Sequence, residues 1–203
     1  MKHHPYAADA PRLPEGEILD PRTLVETNGR PLELEIGPGR GGFIFERLQA
    51  APDICIIGLE IRLKWATIVD RRLRERGLAP RARVFAEDAR AAVARFPEAC
   101  LDAVFVHFPD PWWKKRHKKR LVMGETILEQ LFRTVRPGGQ VFLQTDVAER
   151  AEGFAELFLT HPGFEPFGPS ARVEENPFQA RSPREHRAIQ DGLPIHRLHY
   201  RRR

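Results

Sequence analysis

The sequence predicts an α/β domain with a mostly parallel sheet that is covered by helices on both faces. Apolar segments of strand-like composition alternate with segments of helical periodicity from Leu32 onward, and a parallel sheet needs such helical crossovers. A glycine-rich loop follows the first predicted strand, and acidic residues stand at the ends of four predicted strands. Because ligands bind at the carboxyl ends of the strands in sheets of this class, the sequence also predicts where the functional site lies.

The first part of the predicted domain consists of two strand–helix pairs. Leu32–Ile36 is predicted as the first strand, and Gly41–Ala50, at the end of the glycine-rich loop, as the helix that follows it. Ile54–Leu59 is apolar throughout, as expected for a strand that is buried on both faces. Arg62–Arg76 is predicted as a helix because its apolar residues recur near helical spacing. These residues are Leu63, Ala66, Ile68, Val69 and Leu73.

The middle of the domain continues the alternation. Arg83–Ala86 is predicted as the third strand and Ala89–Phe96 as a short helix. Leu101–His107 is an apolar run with β-branched and aromatic residues, which favours a buried fourth strand. Gly124–Val135 is predicted as a helix because its apolar residues fall on one stripe. They are Ile127, Leu128, Leu131, Phe132 and Val135.

The last part of the domain begins at Arg136-Pro137-Gly138-Gly139, which predicts a helix stop and a turn. Gln140–Thr145 is the predicted fifth strand, and Val147–Thr160 is a predicted helix. The tail from Phe164 has room for two further strands, the last near Ile195–Arg201. With these two, the predicted sheet has seven strands.

The chain of 203 residues is long enough for one domain with a sizeable core. We predict a domain over residues 32–203 and an irregular N-terminal arm over residues 1–31. The arm is rich in proline and charge and poor in periodic apolar positions. We therefore expect it to order on binding RNA or a partner.

Composition and charge narrow the function classes. The formal net charge is +5, which favours an anionic partner such as nucleic acid. Cys55 and Cys100 have no metal-ligand spacing, the histidines show none either, and we expect no metal site. No apolar run approaches about 18 residues, so we expect no membrane span and a cytoplasmic location.

The acidic residues at the strand ends suggest the chemistry of the ligand. Glu35 lies just before the loop that contains Gly37 and Gly39, where it would repel a pyrophosphate and suit an amino group. Glu60 ends the second strand, where an acid commonly accepts from ribose hydroxyls. Asp88 could be a plain helix N-cap or an acceptor from an adenine amino group. Such a loop alone could also be a tight turn, but one ligand with an amino group, a ribose and an adenine accounts for all of these residues.

The segment His107–Arg120 is the most informative part of the chain, and it reads His-Phe-Pro-Asp-Pro-Trp-Trp-Lys-Lys-Arg-His-Lys-Lys-Arg. Asp110 stands between two prolines, which restrict the backbone around it. Trp112 and Trp113 could anchor the loop in the core or stack on a base. The basic run Lys114–Arg120 could be a solvated loop or could contact phosphates. The basic face of Arg62–Arg76 is interpreted as a solvated helix face.

These motifs resemble those of the bacterial tRNA (guanine-N7-)-methyltransferase family. Leu34–Gly41 is similar to the first motif of the family, and Phe108–Trp112 with the basic residues behind it is similar to its most distinctive motif. Thr145-Asp146 also matches. The resemblance runs from about Leu32 to about Asp146 and returns weakly near the C-terminus.

The resemblance implies a single-domain, Rossmann-like class I methyltransferase with S-adenosylmethionine as cofactor and tRNA as substrate. For the cofactor it implies contacts from the glycine loop and from acids at matching positions: Glu35, Gly37, Gly39, Glu60, Asp88 and Asp110. It also makes Asp110 the catalytic residue and Lys114 and Asp146 substrate contacts. The C-terminal Thr-x-Phe/Tyr-Glu segment of the family is matched best by Ser182-Pro183-Arg184-Glu185, which makes Ser182 and Glu185 substrate contacts. Arg184 departs from the aromatic residue of that pattern.

The implied reaction is methyl transfer to N7 of the guanine at position 46 in the variable loop of tRNA. Guanine N7 carries a free lone pair, so no proton has to be removed first, and positioning is the main requirement. Asp110 is therefore interpreted as an orienting and charge-complementing acceptor. The alternatives are another methyltransferase, acting on RNA, a small molecule or a protein, and a non-catalytic RNA-binding module on the same fold. Nothing in the sequence requires a protein partner.

Overall fold

The structure is a computed structural model that describes residues 5–109 and 123–203. The predictions for Asp110, for Trp112 and Trp113 and for the basic run Lys114–Arg120 fall outside the described residues. The helices are α1 (Gly42–Ala50), α2 (Leu63–Glu75), α3 (Ala89–Ala94), α4 (Glu125–Thr134), α5 (Ala148–Leu159) and α6 (Pro183–Gln190). The strands are β1 (Leu32–Ile36), β2 (Cys55–Leu59), β3 (Ala82–Phe85), β4 (Leu101–His107), β5 (Val135–Thr145), β6 (Phe164–Pro166) and β7 (His196–Arg202).

Seven strands of the described residues form one sheet in the order β3-β2-β1-β4-β5-β7-β6. The first five of these strands pair in parallel, whereas β7 runs antiparallel to both β5 and β6. The order reverses direction at β1 and β4, and the carboxyl ends of these two central strands therefore open a crevice for a ligand. This architecture confirms the predicted mostly parallel, seven-stranded α/β fold.

Hydrophobic residues cover both faces of the sheet, which explains why the central strands are apolar almost throughout. On one face, Leu34, Val104 and Leu143 pack in a cluster with residues of α3, α4 and α5. On the other face, Phe105 and Phe142 pack in a cluster with residues of α1 and α2. The charged side chains Glu33 and Glu35 nevertheless lie buried within β1. Two buried acids in a central strand need specific partners, and one of them lies at the crevice.

The start of β5 differs from the prediction. Residues 136–139, predicted as a turn, belong to β5, which begins at Val135 directly after α4. The pairing with β4 shifts register between Leu101↔Val135 and Ala103↔Gln140, so these residues form a bulge. Gly138 has φ +76°, the left-handed conformation that glycine adopts without strain. The glycines thus shape a bulge and do not separate the helix from the strand.

Helix α6 was not predicted. Ser182 is its N-cap and accepts a hydrogen bond from the Glu185 N–H at 3.2 Å, and Pro183 occupies the first helical turn. A serine followed three residues later by glutamate, with proline at the first helical position, is a signature of a helix start. The helix places Arg184 and Glu185 in different surroundings, with consequences for the site.

Residues 5–31 of the N-terminal arm pack against the rest of the fold in the structure, which differs from the expectation that the arm orders on binding RNA or a partner. It is irregular apart from one 3₁₀ turn at Pro21–Thr23, but Leu13, Leu19 and Val25 are buried in the core cluster on the α3–α5 face. The arm is also tied to the residue that follows β3, because the Ala86 N–H donates to the Pro11 carbonyl at 2.7 Å. Burial of these spaced apolar residues offsets the entropy of ordering the segment.

Among the residues that the structure describes, no helix is long and apolar enough to cross a membrane.

Candidate active site

Two adjoining cavities lie at the carboxyl ends of the parallel strands. The first has a volume of about 390 Å³ and lies between the glycine loop after β1, the end of β4, and the starts of α5 and α6. The second has a volume of about 490 Å³ and extends from the end of β1 across the ends of β2 and β3. Residues from the glycine loop and from β4 line both cavities, together with two arginines: Gly37, Arg62, His107, Phe108, Pro109 and Arg150. Together the two cavities can hold one elongated ligand.

The glycine loop is shaped to bring a ligand close to the backbone. Gly37 has φ +73°, and a Cβ at this position would meet nothing within 4 Å, so the space beside its backbone is open. Gly41 has the opposite surroundings, because a Cβ there would lie 2.5 Å from Cγ1 of Val69. The absence of a side chain at Gly41 therefore lets the loop pack on α2, and at Gly37 it leaves room for a ligand.

Glu35 and His107 form a buried pair at the bottom of the first cavity. Nδ1 of His107 lies 2.8 Å from Oε1 of Glu35. Glu35 is 1 % exposed, and burial raises the pKa of its carboxyl group above the ordinary value. Oε2 of Glu35 and Nε2 of His107 are buried and have no hydrogen-bond partner among the described residues. Buried polar atoms are rarely left unpaired, and because both residues line the first cavity, these two atoms are candidates for contacts with a ligand.

Glu60 stabilises the glycine loop from the end of β2. Its Oε2 accepts from the Gly39 N–H at 2.9 Å, and its Oε1 accepts from the Arg62 N–H at 2.9 Å. The side chain of Arg62 also pairs with Oε1 at 3.1 Å. Because a carboxylate oxygen has more than one acceptor position, Glu60 can hold the loop and still accept from a ligand hydroxyl in the second cavity.

Asp88 caps α3 at the far end of the second cavity. Its Oδ1 accepts from the Arg90 N–H at 3.0 Å, which confirms the N-cap alternative. The side-chain hydrogen bond from Arg90 holds the pKa of Asp88 below its ordinary value. Asp88 also lines the cavity, so an additional contact with an adenine amino group remains a prediction.

Acidic and basic side chains lie together at the mouth of the first cavity. Asp146 follows β5, and its Oδ2 accepts from Nε of Arg184 at 3.0 Å. Arg40 and Arg150 also line this cavity. Arg184 thus stands where the sequence pattern expects an aromatic residue, and it neutralises a predicted substrate contact. The arginines favour a phosphate-bearing substrate at this mouth.

The structure separates two residues that the sequence pattern presents together. Ser182 lines the first cavity, whereas the Glu185 side chain is fully buried. Oε1 of Glu185 pairs with Nη2 of Arg197 at 3.0 Å, and Oε2 accepts from Nδ2 of Asn176 at 2.9 Å. Protein groups thus engage both carboxylate oxygens of Glu185 in this structure, and a direct contact between Glu185 and the substrate stays a prediction.

Phe108 has an unusual backbone conformation at the end of β4. Its φ is +47°, in the left-handed region that non-glycine residues rarely adopt. The Phe108 N–H donates to the Gln144 carbonyl at 2.8 Å, which ties the turn to β5. Such strain is concentrated at functional sites. It redirects the chain into Pro109, which lines both cavities.

Seven of the site residues predicted from the sequence line one or both cavities: Glu35, Gly37, Gly39, Glu60, Asp88, Asp146 and Ser182. The sequence did not predict the roles of His107 and Arg184. A histidine at the end of a strand has no local signature, and its contact with Glu35 depends on the pairing of β1 with β4. Within residues 5–109 and 123–203, no group of three or more histidine, cysteine or acidic side chains could hold a metal ion.

The strand order and the glycine loop at the end of β1 define a class I methyltransferase fold. TrmN from Thermus thermophilus shares this fold, with a TM-score of 0.60 and 19 % identity over 87 % of this chain and 46 % of that protein. Residues 29–198 match the family model described as "Putative methyltransferase".

Curated relatives of the chain carry a more specific name. The tRNA (guanine-N(7)-)-methyltransferase of Synechococcus sp. (strain JA-3-3Ab) is 38 % identical over 177 residues, which is 86 % of this chain and 74 % of that protein. The tRNA (guanine-N(7)-)-methyltransferase of Myxococcus xanthus (strain DK1622) is 37 % identical over 169 residues, 82 % of this chain and 81 % of that protein. The chain belongs to the bacterial tRNA (guanine-N7-)-methyltransferase family, as the motifs predicted.

Proposed function

We infer that this protein is an enzyme that transfers a methyl group from S-adenosylmethionine to N7 of guanine in tRNA. The observation that carries this conclusion is the 38 % identity, over 86 % of the chain, to a tRNA (guanine-N(7)-)-methyltransferase. The conclusion is supported by two adjoining cavities, whose acidic and arginine side chains suit the cofactor and an anionic substrate. The location that fits this substrate is the cytoplasm.

The residues of the two cavities fit S-adenosylmethionine, which supplies an activated methyl group when bound. Glu35 lines the first cavity, and its Oε2, which has no partner among the described residues, suits the amino group of the cofactor. Gly37 and Gly39 leave room for the methionine part of the cofactor. Glu60 lies where its carboxylate can accept from a ribose hydroxyl. Asp88 lies at the far end, within the second cavity, and suits the adenine.

We propose that Asp146, Ser182 and Lys114 contribute to the substrate end of the site. Asp146 and Ser182 line the mouth of the first cavity, and Arg184 holds the Asp146 carboxylate in place there. We propose that Glu185 contributes indirectly, because its buried contacts with Arg197 and Asn176 fix the start of α6. We propose that the methylated base is the guanine at position 46 in the variable loop of tRNA.

We propose that Asp110 orients the guanine and complements the charge that moves onto the base. S-adenosylmethionine would supply the methyl group, whose bond to sulfur would break as the bond to N7 forms, and the base would become positively charged. An acid that accepts from the N1 or amino edge of the guanine would stabilise this charge. No proton has to leave N7 before the attack, and this role therefore does not require a strong base.

The test is incubation of the purified protein with bulk tRNA and methyl-labelled S-adenosylmethionine, followed by chemical mapping of 7-methylguanine. We expect label at one guanine in the variable loop. Label in another base or at another guanine would overturn the proposed target and keep the methyltransferase activity. An absence of label in tRNA, with S-adenosylmethionine bound, would overturn the proposed substrate.

A further inference from the structure

His107 and Glu35 are joined only by the fold, because they lie on neighbouring strands and are separated by 72 positions in the chain. Their side chains are 2 % exposed each, and Nδ1 of His107 lies 2.8 Å from Oε1 of Glu35. The pair lines the first cavity beside Gly37 and Gly39. The hydrogen bond between them engages one ring nitrogen of His107 and one oxygen of Glu35, and the other nitrogen and the other oxygen have no partner among the described residues.

The two remaining atoms have a defined chemistry. When Glu35 is ionised and the ring of His107 is neutral, Nδ1–H donates to Oε1 and the lone pair of the ring is on Nε2. In that state Oε2 of Glu35 and Nε2 of His107 are both acceptors, and neither has a partner in the described part of the chain. An ammonium group has three donors and no acceptor. The pair therefore suits the amino group of an amino-acid ligand and not its carboxylate.

The ring of His107 is held by aromatic neighbours. Its centroid lies 4.3 Å from that of Phe43 on α1 and 5.8 Å from that of Phe105 on β4. Phe142 on β5 packs at 6.2 Å. These contacts fix the imidazole and leave it little freedom to turn away from Glu35, so the direction of Oε2 is set by the packing of three elements.

We propose that His107 is a positioning residue for the amino-acid end of S-adenosylmethionine and acts through Glu35. His107 binds Oε1 of Glu35 and thereby stabilises the ionised carboxylate, although burial favours the neutral acid. Oε2 of Glu35 then stays available for the ammonium group. The proposal rests on the proposed function for the identity of the cofactor. It adds to that function a residue whose loss impairs recognition of one end of the cofactor only.

The experiment compares two ligands by calorimetry. S-adenosylhomocysteine carries the amino-acid end, and 5′-methylthioadenosine lacks it. In His107→Phe the ring shape remains and the donor is removed. We expect the affinity for S-adenosylhomocysteine to fall about ten-fold or more, as for the loss of a charge-assisted hydrogen bond, with the affinity for 5′-methylthioadenosine nearly unchanged. His107→Asn and His107→Gln carry amide donors, and at least one of them should recover part of the affinity.

The control is His199→Phe, which changes a buried histidine that lies on β7 and lines neither of the two cavities. It should leave the preference between the two ligands at the wild-type value. An unchanged preference in His107→Phe would overturn the proposal, and so would an equal loss of both ligands in all three His107 variants. If wild-type protein discriminates between the ligands but does not methylate tRNA, the proposed substrate fails while this inference stands.

Discussion

Glu60 combines a structural contact with an expected contact to the cofactor. Its carboxylate is 2 % exposed and accepts from the backbone of Gly39 and of Arg62. These bonds join the end of β2 to the glycine loop after β1. A ligand that binds to Glu60 therefore binds to a group whose position the protein has already fixed, which lowers the entropic cost of binding.

Replacement of Glu60 should weaken the cofactor site. In Glu60→Gln, the amide nitrogen faces a backbone N–H, so one of the two backbone hydrogen bonds cannot form. In Glu60→Ala neither can form, and we expect the affinity for S-adenosylmethionine to fall further, by about 1.5–3 kcal/mol. Calorimetry measures the affinity of both variants for S-adenosylmethionine. The control is Glu156→Gln, which makes the same change at an exposed position. Wild-type affinity for S-adenosylmethionine in both Glu60 variants would contradict the expected contact between Glu60 and the cofactor.

Asp110 should affect the rate more than binding. Asp110→Asn keeps the shape of the side chain and removes its charge, so a site that stabilises positive charge on the guanine loses that stabilisation. We expect turnover to fall about 10²-fold or more, with a much smaller loss of tRNA binding. Single-turnover rates and tRNA titrations measure the two effects. Asp53→Asn, on the surface, is the control. A near-normal single-turnover rate would show that the charge takes no part.

His199 makes the folded state sensitive to acid. Burial lowers its pKa to about 4 from an ordinary value of 6.5. The unfolded chain therefore binds a proton in the window between these values, and stability falls as pH decreases from 6.5 towards 4. After allowance for partial solvent screening, we expect about 2 kcal/mol of stability to be lost across this window.

Urea unfolding at pH 7 and pH 5 measures this effect. The wild-type protein should lose more stability between the two pH values than His199→Phe, which cannot take up a proton. His196→Phe, on the same strand but partly exposed, is the control and should behave as the wild type does. An equal pH dependence in wild type and His199→Phe would contradict the expected role of His199.

At the scale of the elements, α6 links the sheet to the mouth of the first cavity. Glu185 in its first turn pairs with Arg197 on β7, and Ser182 at its N-cap lines the cavity. Gly42 in α1 leaves space for the helix, because a Cβ there would lie 2.6 Å from Pro183. The helix is therefore fixed from two sides, and its exposed residue Arg184 can hold Asp146 at a defined place.

Loss of the buried partner in α6 should destabilise the fold. The variant Glu185→Ala removes the carboxylate that pairs with Arg197. The guanidinium of Arg197, whose side chain is only 11 % exposed, then lacks this partner. We expect the free energy of unfolding to fall by about 3 kcal/mol or more. Glu175→Ala, at an exposed position, should have little effect. Wild-type stability combined with a raised KM for tRNA would instead support a direct contact between Glu185 and the substrate.

The sequence predicted the elements with strong local signals and missed those that depend on tertiary contacts. β1 and β4 have the predicted bounds, because each is a buried apolar run with clear ends. The bulge in β5 depends on its register with β4, and Arg136-Pro137-Gly138-Gly139 alone is typical of a turn. α6 was missed although Ser182 and Glu185 form a capping pattern, because the helix is short and mostly polar. The acids of the site were predictable from their positions, but the partners of Glu35 and Glu185 were not.

At the scale of the whole molecule, the arm, the sheet and the cavities form one unit. Leu13 of the arm is buried in the core, and its N–H donates to Oε1 of Glu87 at 3.3 Å. Glu87 lines the second cavity next to Asp88. The arm therefore supports the part of the second cavity where we expect the adenine.

The net charge of +5 should make tRNA binding dependent on salt. Cations on the protein displace counterions from the phosphates, so the logarithm of affinity falls linearly with the logarithm of salt concentration. Change of Lys118–Arg120 together to glutamine should flatten this slope, by about 0.7–0.9 for each phosphate that the variant no longer neutralises. Titrations of labelled tRNA at several salt concentrations measure the slope.

The matched control removes the same charge from α2 and its C-cap residue, Arg76. Lys64 lies over the ring of Trp65, and Arg72 and Arg76 lie 4.7 and 4.6 Å from the centroid of Phe45 in α1. Replacement of either triple with glutamine changes the net charge from +5 to +2, so any effect of net charge is equal in the two variants. If Lys118–Arg120 contacts phosphates locally, only its variant changes the slope strongly. Equal changes in both would assign the salt dependence to the net charge of the molecule, and a larger change in the α2 variant would assign the RNA contact to α2.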